Sequence, residues 1–146
     1  MPALPDPAGE RADETRALLA LVLAGGRTRP LRDLLDHFGS ASHALAAGPR
    51  AWQAAGLDRQ QVQALGTAAP AASEQARRWL EHPRHHLLGW GDDDYPPLLR
   101  SCQNPPLALF IDGDPACLWQ PAIAVVGSRN PSAAGCENAY EFARAL

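Results

Sequence analysis

The stretch 122–135, read as AIAVVGSRNPSAAG, constrains the fold more than any other part of the chain. Ala122, Ile123, Ala124, Val125 and Val126 run without polar interruption into Gly127, Ser128 and Arg129, and a helix-competent stretch follows over 132–146. A short, continuous apolar run containing β-branched residues suits a strand covered on both faces, as in the parallel sheet of an α/β domain. Ligands of such sheets sit at the carboxyl ends of the strands. Here that end meets the start of the next helix, where unpaired backbone N–H groups and the positive end of the helix dipole attract anions. The expected ligand is a phosphate.

Residue types at the turn sharpen this expectation. Gly127 can adopt backbone angles closed to other residues and lets a ligand approach the main chain. The guanidinium of Arg129 can clamp a phosphate through two parallel hydrogen bonds. Ser132 is the best N-cap candidate for the final helix. The alternative is a plain strand-to-helix turn whose arginine pairs with a carboxylate; the convergence of glycine, serine and arginine at a sheet's binding edge favours phosphate. The spacing matches neither the Gly-x-Gly-x-x-Gly dinucleotide fingerprint nor a Gly-Lys-Ser/Thr phosphate loop. No nicotinamide, ATP or other cofactor is therefore expected.

With 146 residues, the chain suffices for one ordinary domain or two small ones, and 46% hydrophobic residues support a buried core. No apolar run approaches the roughly 18 to 20 residues of a membrane helix. The first ten residues lack the basic start and hydrophobic stretch of a secretion signal, so a soluble, cytoplasmic protein with no membrane partner is expected. Cys102, Cys117 and Cys136 fit neither a disulfide framework nor a Cys-x-x-Cys metal site. All 13 basic residues are arginines, and the net charge is −3. It is uneven, at +1 over residues 1–80 and −4 over 81–146. A nucleic-acid-binding domain is usually basic, so any phosphate site here depends on local geometry.

The order of elements suggests two parts. Residues 1–12 read as a disordered N-terminus, and 13–82 as a small all-α domain. A helix over 13–23 stops at Gly25 and Gly26. A second opens near Pro30 and places Leu31, Leu34, Leu35 and Phe38 on one face. Short helices follow over 41–47 behind Ser40, around Trp52, after Asp58 and from Ser73. Beyond His82 the pattern changes to strands at 86–90, 107–111 and 122–126 with intervening helices, so 83–146 reads as the beginning of an α/β domain. The glycine turn between the first two helices resembles a helix-hairpin-helix, in which Gly25, Gly26 and Arg27 would offer amides and charge to a DNA phosphate. A packing hairpin is the other reading and the favoured one, because a glycine-bounded turn ordinarily joins antiparallel helices.

His82, His85 and His86 share a short extended segment in which alternate side chains face opposite ways, so no metal site is expected. Asp92, Asp93 and Asp94 read as a solvated turn, with Asp94 capping the helix opened by Pro96. No Ser/His/Asp or Cys/His arrangement has supporting context, and no catalytic residue is expected.

In this order the chain resembles the DNA-processing protein A (DprA, also called Smf) family. The likeness is carried by LRDLLDHFGSASHALAA, then GWGDDDYPPLLRSCQNPPLALFIDGD, then IAVVGSRNPSAAG. The resemblance implies a SAM-like or helix-hairpin-helix-like domain before an extended Rossmann-like parallel sheet, and a protein that is not an enzyme. It further implies single-stranded DNA binding in DNA-mediated transformation, protection of incoming DNA, loading of the RecA recombinase and dimerisation through the Rossmann-like part. The family's glycine-serine-arginine turn falls on Gly127, Ser128 and Arg129, followed by Ser132 and Gly135, which would line the DNA backbone. Asp94, Tyr95 and Pro96 match a second signature, read as structural. Ala134 stands where the family usually has an aromatic residue. With about three strands where a doubly wound sheet has roughly six, the sequence is expected to be the N-terminal fragment of a longer protein. The competing enzyme reading is a LOG-type phosphoribohydrolase, whose Rossmann-like fold also opens with a strand, a glycine-serine turn and a helix. Its Pro-Gly-Gly-x-Gly-Thr segment and catalytic glutamate are not found in these residues. In a third reading the helical domain is an interaction module for a regulator.

Overall fold

The computed structural model describes residues 7–67 and 70–146. Six helices come first: α1 (Pro7–Leu23), α2 (Thr28–Phe38), α3 (Ala41–Ala46), α4 (Gly48–Ala54), α5 (Arg59–Thr67) and α6 (Pro70–Leu80). Strand β1 (His85–Gly89), the single-turn helix α7 (Pro97–Arg100) and strand β2 (Ala108–Asp112) follow. A 3-10 helix over Pro115–Trp119 then leads to a segment without regular secondary structure and to α8 (Ala133–Ala145). Among the described residues no helix is long and apolar enough to cross a membrane.

Local chemistry accounts for several boundaries. The leucine stripe of α2 buries Leu31, Leu34 and Leu35, and the helix stops at Gly39, whose left-handed backbone lets its amide reach the Leu35 carbonyl at 2.8 Å. Ser40 caps α3, its hydroxyl accepting from the His43 amide at 3.2 Å. Asp58 caps α5 by accepting from the Gln61 amide at 2.9 Å. Helix α1 opens at Pro7, so residues 7–12, expected to be disordered, lie within it; residues 1–6 fall outside the described residues. Helix α6 opens at Pro70, ahead of the expected Ser73.

The strands depart from expectation. The sheet has two strands, β1 and β2, paired antiparallel with Leu87 opposite Phe110 and Leu88 opposite Leu109. A parallel pair needs a crossover long enough to carry the chain back, usually on a full helix. Between β1 and β2 the described secondary structure is α7, a single turn, and the chain folds back beside itself. The run 122–126 has no regular secondary structure and joins no ladder among the described residues, and Val126 is 88% exposed. The architecture is therefore mixed α and β, mostly helical, without the expected Rossmann-like parallel sheet. The apolar pattern of 122–126 does not become a strand among the described residues, because a strand also needs a neighbour's unpaired N–H and C=O groups.

One core spans the helices and the hairpin. Leu18 and Leu21 of α1, the α2 leucines, Ala44, Trp52 and Leu65 cluster with Leu107, and Leu87, Trp90 and Ala108 pack against the same cluster. The packing thus continues across position 83, where the sequence pattern changes. Helix α8 buries no residue.

Candidate nucleic-acid interface

The apolar run 122–126 delivers the chain to Gly127 and Ser128, and a bend at Arg129 and Asn130 precedes Pro131 and the α8 cap. Ser128 Oγ accepts from the Asn130 amide at 3.2 Å. Ser132 Oγ accepts from the Gly135 amide at 3.2 Å, making the expected cap. Each hydroxyl keeps a proton to donate. Gly135 leaves room for the cap: a Cβ there would lie 3.3 Å from Ser132 Oγ, a tight contact that would press on the capping hydroxyl. The first turn of α8 carries no acid, so nothing opposes the positive end of its dipole.

Together Val126, Gly127, Ser128, Pro131, Ser132 and Gly135 line a cavity of about 410 Å³. Arg129 is exposed and does not line it. Among the described residues Arg129 makes no ion pair, and no protein oxygen accepts from the Gly127 or Ser128 amides. These donors are free for an anion. One sequence argument is corrected: Gly127 does not occupy the left-handed region, so its conformational freedom is not what the site uses. Open space surrounds its Cβ position, so what the glycine provides is room beside the main chain.

The second predicted set behaves differently. Gly25 and Gly26 both adopt left-handed backbone, and Arg27 is exposed. Their turn is held from inside by Gln61, 1% exposed, whose Nε2 donates to the Gly25 carbonyl at 2.7 Å and to the Arg27 carbonyl at 3.1 Å. A Cβ on Gly26 would meet the Gln61 side chain at 3.0 Å. These contacts are those of a packing hairpin. Gln61 escaped the sequence reading, although Asp58 and Gln61 form a capping box, with the Asp58 amide donating to Gln61 Oε1 at 3.2 Å.

A second cluster was also hidden from the sequence. Arg32, 8% exposed, donates through Nη1 to the Pro105 carbonyl at 2.6 Å and to Thr28 Oγ1 at 2.9 Å, and lies 5.1 Å from the centre of the Trp90 ring. Arg100 lies 4.6 Å from the same ring, and Trp90 Nε1 donates to Asp36 at 2.8 Å. Tyr95 is 1% exposed and donates to the Pro106 carbonyl at 2.7 Å; burial raises its hydroxyl pKa, against the opposing charges of Arg100 and Arg32. The one sequence signal for this cluster is an arginine beside a leucine stripe. Asp94 does not cap α7, whose N-cap is Pro96; the acid that acts here is Asp92, which accepts from the Gly89 amide at 2.5 Å and secures the end of β1.

The histidines do not converge on a cation. His85 stacks on Trp79 at 3.8 Å with its Nδ1 2.6 Å from the Trp79 carbonyl, while His82 Nδ1 accepts from the Arg84 amide. Among the described residues no group of three or more His, Cys, Asp or Glu could hold a metal.

Residues 86–146 match the family described as DNA recombination-mediator protein A. Over 77 residues the chain is 38% identical to Protein Smf of Escherichia coli (strain K12), an alignment covering 53% of this chain and 21% of that one. The chain thus spans about a fifth of the length of the curated relative it matches. No solved structure gives a significant match.

Proposed function

We propose, residues 86–146 being a segment of the DNA recombination-mediator protein A family, that the protein to which this chain belongs binds single-stranded DNA during recombination and DNA-mediated transformation. The observation that carries this reading is the exposed, unpaired Arg129 beside the Gly127 and Ser128 amides, which have no protein acceptor, at the start of α8. Such a set recognises a phosphodiester by charge and geometry and is indifferent to base sequence. Ser132 and Gly135 shape the same turn, the first by capping the helix and the second by leaving space for the cap.

In this proposal the protein is a mediator that protects the incoming strand and loads the RecA recombinase, acting as a homodimer in the cytoplasm, and it is not an enzyme. The helical hairpin at Gly25, Gly26 and Arg27 contributes packing, because Gln61 engages the turn's carbonyls.

Oligonucleotide binding by the full-length protein, with and without Arg129→Ala, tests the proposal. Removing one phosphate clamp should weaken binding to every sequence and flatten the log–log salt dependence by about 0.7. Unchanged affinity and slope would remove Arg129 from the interface.

A further inference from the structure

A cleft of about 800 Å³ opens between α1, α6 and β1 and shares no lining residue with the glycine turn. One face of α1 supplies Arg11, Thr15, Arg16 and Leu19, α6 supplies Ser73, Arg77 and Leu80, and Glu81 follows just past its end. His85, His86 and Leu87 of β1 close it. The lining holds three arginines and two histidines against a single acid.

Some of this charge is already paired. Arg16 lies 2.9 Å from Asp13, and Arg77 lies 2.9 Å from Glu74 and 2.6 Å from Glu81. These side chains are largely exposed, so the pairs contribute little in water, and a phosphate can take over one guanidinium through a charge-assisted bidentate interaction. Arg11 makes no ion pair among the described residues. Beneath the rim, Leu19 is fully buried and Leu80 and Leu87 are half-buried, forming an apolar strip. Cationic rim, apolar floor and the Thr15 and Ser73 hydroxyls match a nucleotide: a charged phosphate, a flat apolar base face and polar base edges. The volume falls within the range of small-ligand clefts, roughly 300 to 1,000 Å³, enough for one or two nucleotides and too small for a duplex.

We infer that this cleft holds one or two nucleotides of a single strand, with phosphate on Arg11 and Arg16 and a base against the half-buried Leu80 and Leu87. The inference rests on the nucleic-acid reading above and adds a binding site that reading does not contain.

The test uses the full chain with an oligothymidylate of about 12 nucleotides and, separately, thymidine monophosphate. The variants are Arg11→Ala combined with Arg16→Ala, both exposed positions, and Arg129→Ala. The double variant should bind the oligonucleotide about tenfold more weakly, with a salt slope flatter by about 0.7 for each phosphate no longer neutralised. The oligonucleotide should also shift the imidazole resonances of His86 in the wild-type and Arg129→Ala proteins alike. If the double variant keeps wild-type affinity and slope while Arg129→Ala weakens binding, the cleft is overturned and the glycine-turn interface stands. If thymidine monophosphate alone depends on Arg11 and Arg16, the strand path is overturned in favour of a free-nucleotide site. If the wild-type chain binds neither probe, the cleft and the nucleic-acid reading fall together for this chain.

Discussion

Removing the Gln61 side chain leaves the Gly25 and Arg27 carbonyls without their donor inside the helical hairpin. Both bonds are part-buried, and losing a hydrogen bond of this kind costs about 0.5 to 1.5 kcal/mol, so Gln61→Ala should lower the urea midpoint accordingly, with the helix content of the folded state retained. Gly127→Ala should behave differently, because its backbone is not left-handed and nothing lies within 4 Å of the added Cβ. Its stability should match wild type, while oligonucleotide affinity falls if the strand passes close to the main chain there. Glu74 gives a signed pH effect. Hydrogen bonds from Arg77 and then Arg78 lower its pKa from 4.5 to about 2. Its folded value lies below its unfolded one, so its contribution is complete above about pH 4.5 and disappears as the pH falls through 2. These side chains are largely exposed, so the contribution is small, and the small stability difference between wild type and Glu74→Gln should shrink across that window and stay constant above it. At this scale the sequence revealed the caps at Ser40 and Asp58 and the serine at the start of α8, because each residue acts on amides two or three positions away. It concealed Gln61 and Arg32, whose partners lie far along the chain at Gly25 and Pro105.

Elements with a one-sided apolar face were readable. The α2 stripe of Leu31, Leu34, Leu35 and Phe38 predicted both the helix and its buried side, because helical periodicity brings those positions together wherever the chain goes. The run 122–126 was not readable in the same way. Its composition suits a covered strand, but which strand lies beside it is a property of the fold, and among the described residues none does. This difference is open to proteolysis. The segment 120–131 is exposed and lies outside regular secondary structure, whereas Arg32 is buried against Pro105 and Trp90. Limited trypsin digestion should cut after Arg129 well before it cuts after Arg32. Simultaneous cutting at both would show that the helices and hairpin do not form the shared core described here.

For the molecule as a whole, that shared core ties the helices to the hairpin through Trp90, which touches Arg32, Arg100 and Asp36. The glycine turn and α8 carry the free anion donors at the other end of the chain. With a net charge of −3 these 146 residues offer no bulk attraction to nucleic acid, so their own contribution to binding rests on a few placed groups. The most direct test is the salt dependence of single-stranded oligonucleotide affinity for the full-length protein, compared with Arg129→Ala. The account predicts weaker binding to all sequences and a slope flatter by about 0.7 in the variant. Coincident binding curves at every salt concentration would contradict it.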